Sequence, residues 1–227
     1  MPSADAAAPP ALLKVPLKTE FAVDLHCGSC EETVKKASVI IESVTPPSLL
    51  FNALRSTGLG TVLKGQTSAT GAQHIGAAVC IFECFTGAKG WAQHNNKGLA
   101  RMVQLDNDTC LFDVTVDGMP PGEHSVSIHE CGDISGGCES TGKALKQLGR
   151  VIVDAQGRGD LVLEERDVKV WDVIGRSIVI DKLNRGRASG EATCGIIARS
   201  AGVFENPKTV CSCDGKTLWE EAGVAKM

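Results

Sequence analysis

The chain has 227 residues, 43% of them hydrophobic, and a formal net charge of -4, which suits one large domain with a smaller one beside it. Its charges are scattered along the sequence, so no basic field is available for nucleic acid or an anionic membrane, and we exclude both as partners. No apolar run reaches the roughly 20 residues of a spanning helix, and residues 1–10 lack a signal-peptide pattern, so we expect a cytoplasmic protein.

The first third of the chain predicts a flexible Pro-rich leader, residues 1–18, and then a small α+β domain, residues 19–65. The predicted elements are a strand over Thr19 to Leu25, a helix over Gly28 to Lys36, a strand over Val39 to Val44, a helix from Pro46-Pro47 to Leu54, and a short strand over Thr61 to Leu63. Cys27 and Cys30 therefore fall on a loop that joins a strand to a helix.

The Gly- and Ser-rich stretch Gly65 to Gly76 predicts a linker, which we place at residues 66–78. Short apolar strands separated by turn signals follow it. They are Val79 to Phe85, Leu99 to Leu105, Leu111 to Val116, His124 to His129, Leu161 to Glu164, Ser177 to Asp181 and Gly195 to Ala198. So many short strands predict a β-sandwich or barrel over residues 79–204, followed by a tail, residues 205–227.

The pair Cys27-x-x-Cys30 has the spacing of a two-thiolate site. Both sulfurs can turn toward one point, and the amino end of a helix favours the thiolate. Two thiolates without a hard-oxygen cluster suit copper(I), whereas structural zinc requires four ligands. A redox-active dithiol occupies the same kind of loop. The pattern alone leaves metal transfer and redox exchange open.

A second tight pair, Cys211-Ser-Cys213, lies in the tail. Residues two apart in an extended chain have α-carbons about 6.5 Å apart, near the upper limit for a disulfide, so a bridge between them is strained and labile. The pair can hold metal or exchange disulfides. Two accessible cysteine pairs in one chain favour a relay of copper(I).

Several motifs resemble copper/zinc superoxide dismutase. They are Gly118 to Asp133 (GMPPGEHSVSIHECGD), Glu139 to Lys143 (ESTGK), Trp171 to Ser177 (WDVIGRS) and Cys194 to Gly202 (CGIIARSAG). Together with Leu25 to Cys30 (LHCGSC) and Val210 to Glu221 (VCSCDGKTLWEE), they make residues 19–222 similar to the copper chaperones for that enzyme, in their fungal form. The dismutase itself has no Cys-x-Cys tail.

The resemblance implies a mainly β fold: an immunoglobulin-like Greek-key sandwich or barrel, preceded by a ferredoxin-like heavy-metal-binding domain. Cys27 and Cys30 would bind copper(I). Cys211 and Cys213 would insert copper into a client dismutase and oxidise its disulfide within a transient heterodimer. The remaining implied features are a disulfide between Cys138 and Cys194, an interface position for Arg199, a homodimer at rest, and a share of the protein in the mitochondrial intermembrane space.

Activity as a dismutase is not expected. Ser127 stands where the enzyme has a copper ligand, only His129 is retained in that motif, and the zinc-binding histidines after Gly142 are missing. We therefore interpret His124 and His129 as structural and expect no zinc in this domain. A thiol-disulfide oxidoreductase using Cys27 and Cys30 remains the alternative function, and an active dismutase a weaker one.

The amino-terminal domain departs from the resemblance by about one strand, because the first helix runs almost directly into Val39-Ile40-Ile41. We expect a three-stranded or poorly packed domain that retains its Cys-x-x-Cys loop and loads copper more weakly. Among the other cysteines, Cys80, Cys84 and Cys110 are expected to be small core residues, and Cys131 an exposed thiol.

Overall fold

The computed structural model of the chain describes residues 12–14, 16–24, 36–68, 76–83, 97–182 and 192–200. These residues form two sheets, one of three strands and one of eight. None of their helices is long and apolar enough to cross a membrane.

The amino-terminal unit contains the three-stranded sheet and one helix. Its elements are β1 (Leu17–Asp24), β2 (Lys36–Ser43), α1 (Pro47–Arg55) and β3 (Thr61–Ser68). The strand order is β2-β1-β3, with β1 antiparallel to both neighbours. The expected three-stranded sheet is confirmed, and Pro47 occupies the first turn of α1, where its missing N–H costs no hydrogen bond.

The strand after the cysteine-containing loop pairs directly with the strand before it. Asp24 lies opposite Lys36, so β2 runs antiparallel to β1 with no further strand between them. The end of the predicted first helix is wrong, because Lys36 belongs to β2; residues 28–35 lie outside the described part.

The second unit is the predicted β-barrel. Its strands are β4 (Ala77–Glu83), β5 (Lys97–Gln104), β6 (Thr109–Asp117), β7 (Gly122–His129), β8 (Ala144–Val153), β9 (Gly159–Arg166), β10 (Ser177–Lys182) and β11 (Thr193–Arg199). They are ordered β8-β7-β10-β11-β4-β5-β6-β9, each antiparallel to its neighbours. The connection from β6 to β7 crosses between the two ends of this order, and β9 returns to pair with β6, so the expected mainly β Greek-key architecture is confirmed.

The two end strands, β8 and β9, close the barrel by side-chain contact. Lys146 of β8 lies 2.8 Å from Glu165 of β9, and Gly149 approaches Leu163 so closely that an added Cβ would sit 3.5 Å from its side chain. Inside, alternate residues of each strand point into one apolar core, as Phe112 and Val114 do on β6.

Two boundaries differ from the sequence prediction. β3 continues to Ser68 and β4 begins at Ala77, so both strands extend into the stretch assigned to the linker. β8 was not predicted, although Val151 and Val153 alternate with exposed Ile152 as in any half-buried strand. Two short helices complete the barrel: a 3₁₀ turn over Gly137–Thr141 and α2 over Val170–Val173.

The two units share a second apolar core. The inner face of the small sheet and α1 contribute Phe21, Leu63 and Phe51, and the outer face of β6 and β9 contributes Leu111 and Val162. All five side chains are buried. The amino-terminal unit is therefore packed on the barrel over strands β6 and β9.

Candidate functional site

The two cysteine pairs predicted to bind copper lie outside the described residues: Cys27, Cys30, Cys211 and Cys213. Cys84 lies outside them as well. The structure does describe where the flanking chain leaves the fold. Asp24 and Lys36, the described residues on either side of the segment 25–35, are paired across β1 and β2. The tail follows Ser200, whose backbone N–H donates to the carbonyl of Ala77 at 3.1 Å.

The predicted disulfide is present in the barrel. Cys138, in the 3₁₀ turn, is bonded to Cys194 on β11 with a Cα–Cα distance of 5.7 Å. Both cysteines are buried, and they pack against Val179 of β10. The bridge therefore fastens the loop between β7 and β8 to β11.

His129 is the copper-ligand position of the dismutase motif that this chain retains, but its ring is not free to bind copper. The ring of His129 is buried, with Nε2 3.0 Å from the hydroxyl of Ser127 and Nδ1 2.9 Å from the hydroxyl of Thr141. The carbonyl of Gly142 lies 3.2 Å from the same Nδ1. Protein groups thus engage both nitrogens that could otherwise bind a metal.

The other histidine of the motif is also built into the protein. His124 is fully buried, and its Nε2 lies 2.8 Å from the carbonyl of Pro120. Among the described residues no three His, Cys, Asp or Glu side chains converge on a common point. The structural interpretation of His124 and His129 agrees with this geometry.

One face of the barrel exposes a group of apolar and basic side chains beside the disulfide. This face, called the docking surface below, comprises Cys131, Gly132, Trp171, Ile196 and Arg199. Ile196 and Trp171 remain 41% and 44% exposed, so both side chains offer apolar area to a partner. Arg199, the candidate interface residue, is exposed at the end of β11.

The loop that carries Cys131 and Gly132 is held rigidly against α2 and β10. Ser177 donates its hydroxyl to the carbonyl of Cys131 at 2.7 Å, and the guanidinium of Arg176 donates to the carbonyl of Glu130 at 3.0 Å. A Cβ on Gly132 would collide with the carbonyl of Gly175 and lie 3.3 Å from Ile196. Glycine at this position lets the loop lie flat beside Ile196, so the docking surface is preformed.

The three free cysteines of the described part behave as expected from sequence. Cys80 and Cys110 are buried, and burial raises the pKa of each thiol to about 12, so neither forms a thiolate near neutral pH. Cys131 is exposed on the docking surface.

Sequence reasoning missed the polar contacts that position the amino-terminal unit. Helix α1 has no side-chain cap of its own; instead Glu164 of β9 accepts a 2.8 Å hydrogen bond from the backbone N–H of Ser48 and a second bond from the Ser48 hydroxyl. Burial raises the pKa of Glu164, and the bonds from Ser48 oppose that shift. No local sequence signal marks this contact, because its partners are 116 residues apart.

A second contact crosses the same interface. Arg101 of β5 is paired with Asp113 of β6, and its Nη2 and Nη1 donate to the carbonyls of Leu63 at 2.6 Å and Lys64 at 3.2 Å on β3. One guanidinium thus pairs with a partly buried carboxylate and donates to two strand carbonyls at once.

Comparison with known proteins supports the resemblance seen in the motifs. The family model of copper/zinc superoxide dismutase (SODC) matches residues 96–197. The copper chaperone for superoxide dismutase of Homo sapiens is 38% identical, covering 90% of this chain and 88% of that protein. The superoxide dismutase 1 copper chaperone of Debaryomyces hansenii is 35% identical, covering 90% and 94%. That of Saccharomyces cerevisiae is 34% identical, covering 88% and 92%.

Proposed function

This chain belongs to the family of copper chaperones for superoxide dismutase, and from that premise we propose that it delivers copper to a copper/zinc superoxide dismutase. The observation that carries the proposal is the similarity to three such chaperones along about nine-tenths of the chain. The chain acts as a carrier rather than as an independent enzyme.

The docking surface is where the client binds. A barrel that resembles one dismutase subunit can take the place of that subunit in a dimer, because a two-fold interface uses the same patch on both partners. Ile196 and Trp171 supply apolar contact area, and exposed Arg199 adds a directional donor at the rim. The same face, used between two copies, would form the homodimer at rest.

The two cysteine pairs handle the metal. Cys27 and Cys30 take up copper as copper(I), which prefers two soft thiolate ligands, and Cys211 and Cys213 pass it into the client. Support for this assignment is the residue pattern together with the family, since these residues lie outside the described part of the chain. We assign no metal to His129, because protein groups already engage both nitrogens of its ring.

The tail pair also oxidises two thiols of the client to a disulfide. In the oxidised form of the tail, a client thiolate attacks one sulfur of the Cys211–Cys213 bridge, which breaks that bond, forms a mixed disulfide and releases the other tail sulfur as a thiolate. The second client thiolate then attacks the client sulfur of the mixed disulfide and releases the tail dithiol. The client loses two electrons and the tail gains them, and molecular oxygen or another thiol oxidant restores the bridge.

The proposal is tested with the full chain, loaded with copper, and an apo dismutase. Replacing Cys211 and Cys213 with serine abolishes activation of the client while leaving the heterodimer intact. Ile196→Glu instead prevents heterodimer formation, as measured by size-exclusion chromatography, and activation is lost with it. Ile40→Glu is the matched control, because Ile40 is 65% exposed on β2, away from the docking surface. Full activation by the double serine variant would refute the role of the tail.

The same experiment separates the chain from a redox enzyme and from a dismutase. A chaperone transfers stoichiometric copper, and its thiol chemistry is confined to the tail pair and the client. Thiol-disulfide turnover through Cys27 and Cys30 without copper, or removal of superoxide by the partner-free chain, would contradict the proposal. We expect this activity in the cytoplasm, with a share in the mitochondrial intermembrane space.

A further inference from the structure

A cleft of about 700 Å³ separates α1 and the turn after it from strands β8 and β9. It lies on the boundary between the two units, a common position for binding sites, and its volume falls within the range of ligand pockets. Its apolar lining comprises Phe51, Leu59, Ile152, Leu161 and Val162. It is not part of the docking surface, with which it shares no residue.

The apolar lining is not fully covered by the chain's described residues. Ile152, on β8, is 75% exposed, the highest exposure of any large apolar side chain described. Uncovering such a side chain costs roughly 1.5–3 kcal/mol relative to burying it. A partner with its own apolar surface would therefore gain by covering Ile152.

The rim of the cleft is cationic. The side chains of Arg55 and Arg150 are 47% and 60% exposed. Arg55 forms a long ion pair with Asp160, at 3.5 Å, and Arg150 an exposed one with Glu123, at 3.0 Å. A guanidinium has five N–H donors, more than one such pair uses. The carboxylate of Asp154, also at the rim, accepts bonds from its own turn. An occupant with an apolar residue followed by carboxylates would match this arrangement.

One segment of this chain has that composition. Outside the described residues, only the tail places an aromatic residue directly before two carboxylates, in Leu218-Trp219-Glu220-Glu221. The segment 183–191 carries Arg185 and Arg187, and the segment 84–96 carries Lys89 and no acid, so the rim would repel rather than attract them.

The tail is long enough to reach the cleft. Seventeen residues, 201–217, separate Ser200 from Leu218, and an extended chain of this length spans roughly 55 Å at about 3.3 Å per residue. The ten-residue strand β8, the longest in the barrel, measures only about 33 Å on the same scale.

The cleft also lies where the first cysteine segment leaves the fold. Thr61 lines the cleft and pairs with Val23, one residue before the end of β1, after which the chain continues to Cys27 and Cys30. Cys213 precedes Leu218 by five residues, a reach of at most about 17 Å.

We propose that this cleft binds the Leu218–Glu221 segment of the chain's own tail, with Trp219 covering Ile152 and the two glutamates facing Arg55 and Arg150. Docking there holds Cys211 and Cys213 near the end of β1, where copper passes from the first pair to the second before the tail turns to the client. This last statement rests on the proposed function, whereas the docking itself does not.

The test uses the full chain labelled with 5-fluorotryptophan and read by ¹⁹F NMR. The chain has three tryptophans, Trp91, Trp171 and Trp219, which single Trp→Phe variants assign. We expect the Trp219 resonance to be displaced from that of an unstructured peptide and to show little solvent isotope shift. Ile152→Lys moves it to the free position and leaves the Trp171 resonance unchanged.

The matched control is Leu145→Lys. Leu145 is 50% exposed on the same strand but does not line the cleft, so this variant leaves Trp219 in its docked position. Arg150→Glu and a salt concentration of about 1 M, where the screening length falls to about 3 Å, both increase the free fraction of Trp219.

Several outcomes would overturn the proposal. Trp219 could be solvent-exposed in the unaltered chain, or Ile152→Lys and Leu145→Lys could have equal effects. Trp219 could also be exposed while Ile152→Lys weakens client binding, which would make the cleft a client contact. Because the NMR readout needs neither copper nor client, it stays separate from the activation assay. An exposed Trp219 with normal activation refutes only the docking, and a docked Trp219 with full activation by the double serine variant refutes only the proposed function.

Discussion

Replacing Glu164 with alanine tests whether the barrel holds the amino-terminal unit through helix α1. The substitution removes the acceptor of two hydrogen bonds from Ser48, and α1 has no side-chain cap of its own to replace it. Loss of a helix cap costs about 1 kcal/mol, and the second hydrogen bond contributes about as much. Removing the carboxylate also removes the cost of burying it, which offsets part of this loss. We therefore expect a net loss of about 1–2 kcal/mol in the free energy of unfolding.

The assay is guanidinium denaturation of the full chain, with Ser48→Ala and the double variant completing a thermodynamic cycle. Ser48→Ala removes only the hydroxyl bond and keeps the backbone N–H, whereas Glu164→Ala removes both bonds. Because the hydroxyl bond is lost in either single variant, the combined effect should fall short of the sum by about 1 kcal/mol. Glu123→Ala is the control: its ion pair with Arg150 is exposed, so its loss changes stability by less than about 0.5 kcal/mol. Strictly additive effects of Glu164→Ala and Ser48→Ala would refute the reasoning.

The pH dependence of Glu164→Gln gives a second check. Burial raises the pKa of Glu164 above its ordinary value of 4.5, so the folded chain holds this proton more tightly than the unfolded chain. Its contribution to stability is therefore fully present below the ordinary value and declines as pH rises through the raised pKa. Glutamine cannot titrate, so the substitution should cost more near about pH 4 than at neutral pH. A cost that does not change with pH would contradict the assigned environment.

Three further outcomes are expected. Cys194→Ser removes a bridge between residues 56 apart and lowers stability by about 4 kcal/mol under oxidising conditions, so denaturation with and without reductant should differ for the unaltered chain alone. Arg101→Lys keeps the charge but loses the planar guanidinium that bonds to the carbonyls of Leu63 and Lys64, so we expect it to lower the free energy of unfolding by about 2 kcal/mol. A change below about 0.5 kcal/mol would show that these bonds contribute little. In the folded chain, iodoacetamide labels Cys131 but not Cys80, whose pKa burial raises to about 12; peptide mass spectrometry reads this, and equal labelling would contradict it.

The barrel was predictable because strand patterning is local. Alternation on β6, with Phe112 and Val114 inward, and the turn signals between strands identify the elements without any knowledge of their neighbours. The strand β8 escaped prediction because charged and amide residues interrupt its apolar positions. The disulfide between Cys138 and Cys194 came from resemblance; spacing alone could not have paired ten cysteines.

The contacts between the units could not be predicted in this way. Glu164 looks like any polar residue on the outer face of a strand, and Arg101 like any solvated charge. Only the folded chain shows that the first caps a distant helix and that the second bonds to two carbonyls of β3. The structural role of His129 was predicted from the sequence, because Ser127 replaces a copper ligand of the dismutase. The engagement of the ring by Thr141 depends on the 3₁₀ turn, which carries no clear sequence signal.

The apolar core shared by the two units has a consequence for synthesis of the chain. Phe21 and Leu63 leave the ribosome early, yet Val162, which covers them from β9, follows roughly 100 residues later. At about 5–20 residues per second, the inner face of the small sheet waits roughly 5–20 s for its partner. The nascent amino-terminal unit therefore exposes an apolar face during translation, and this face is covered only when β9 has been synthesised.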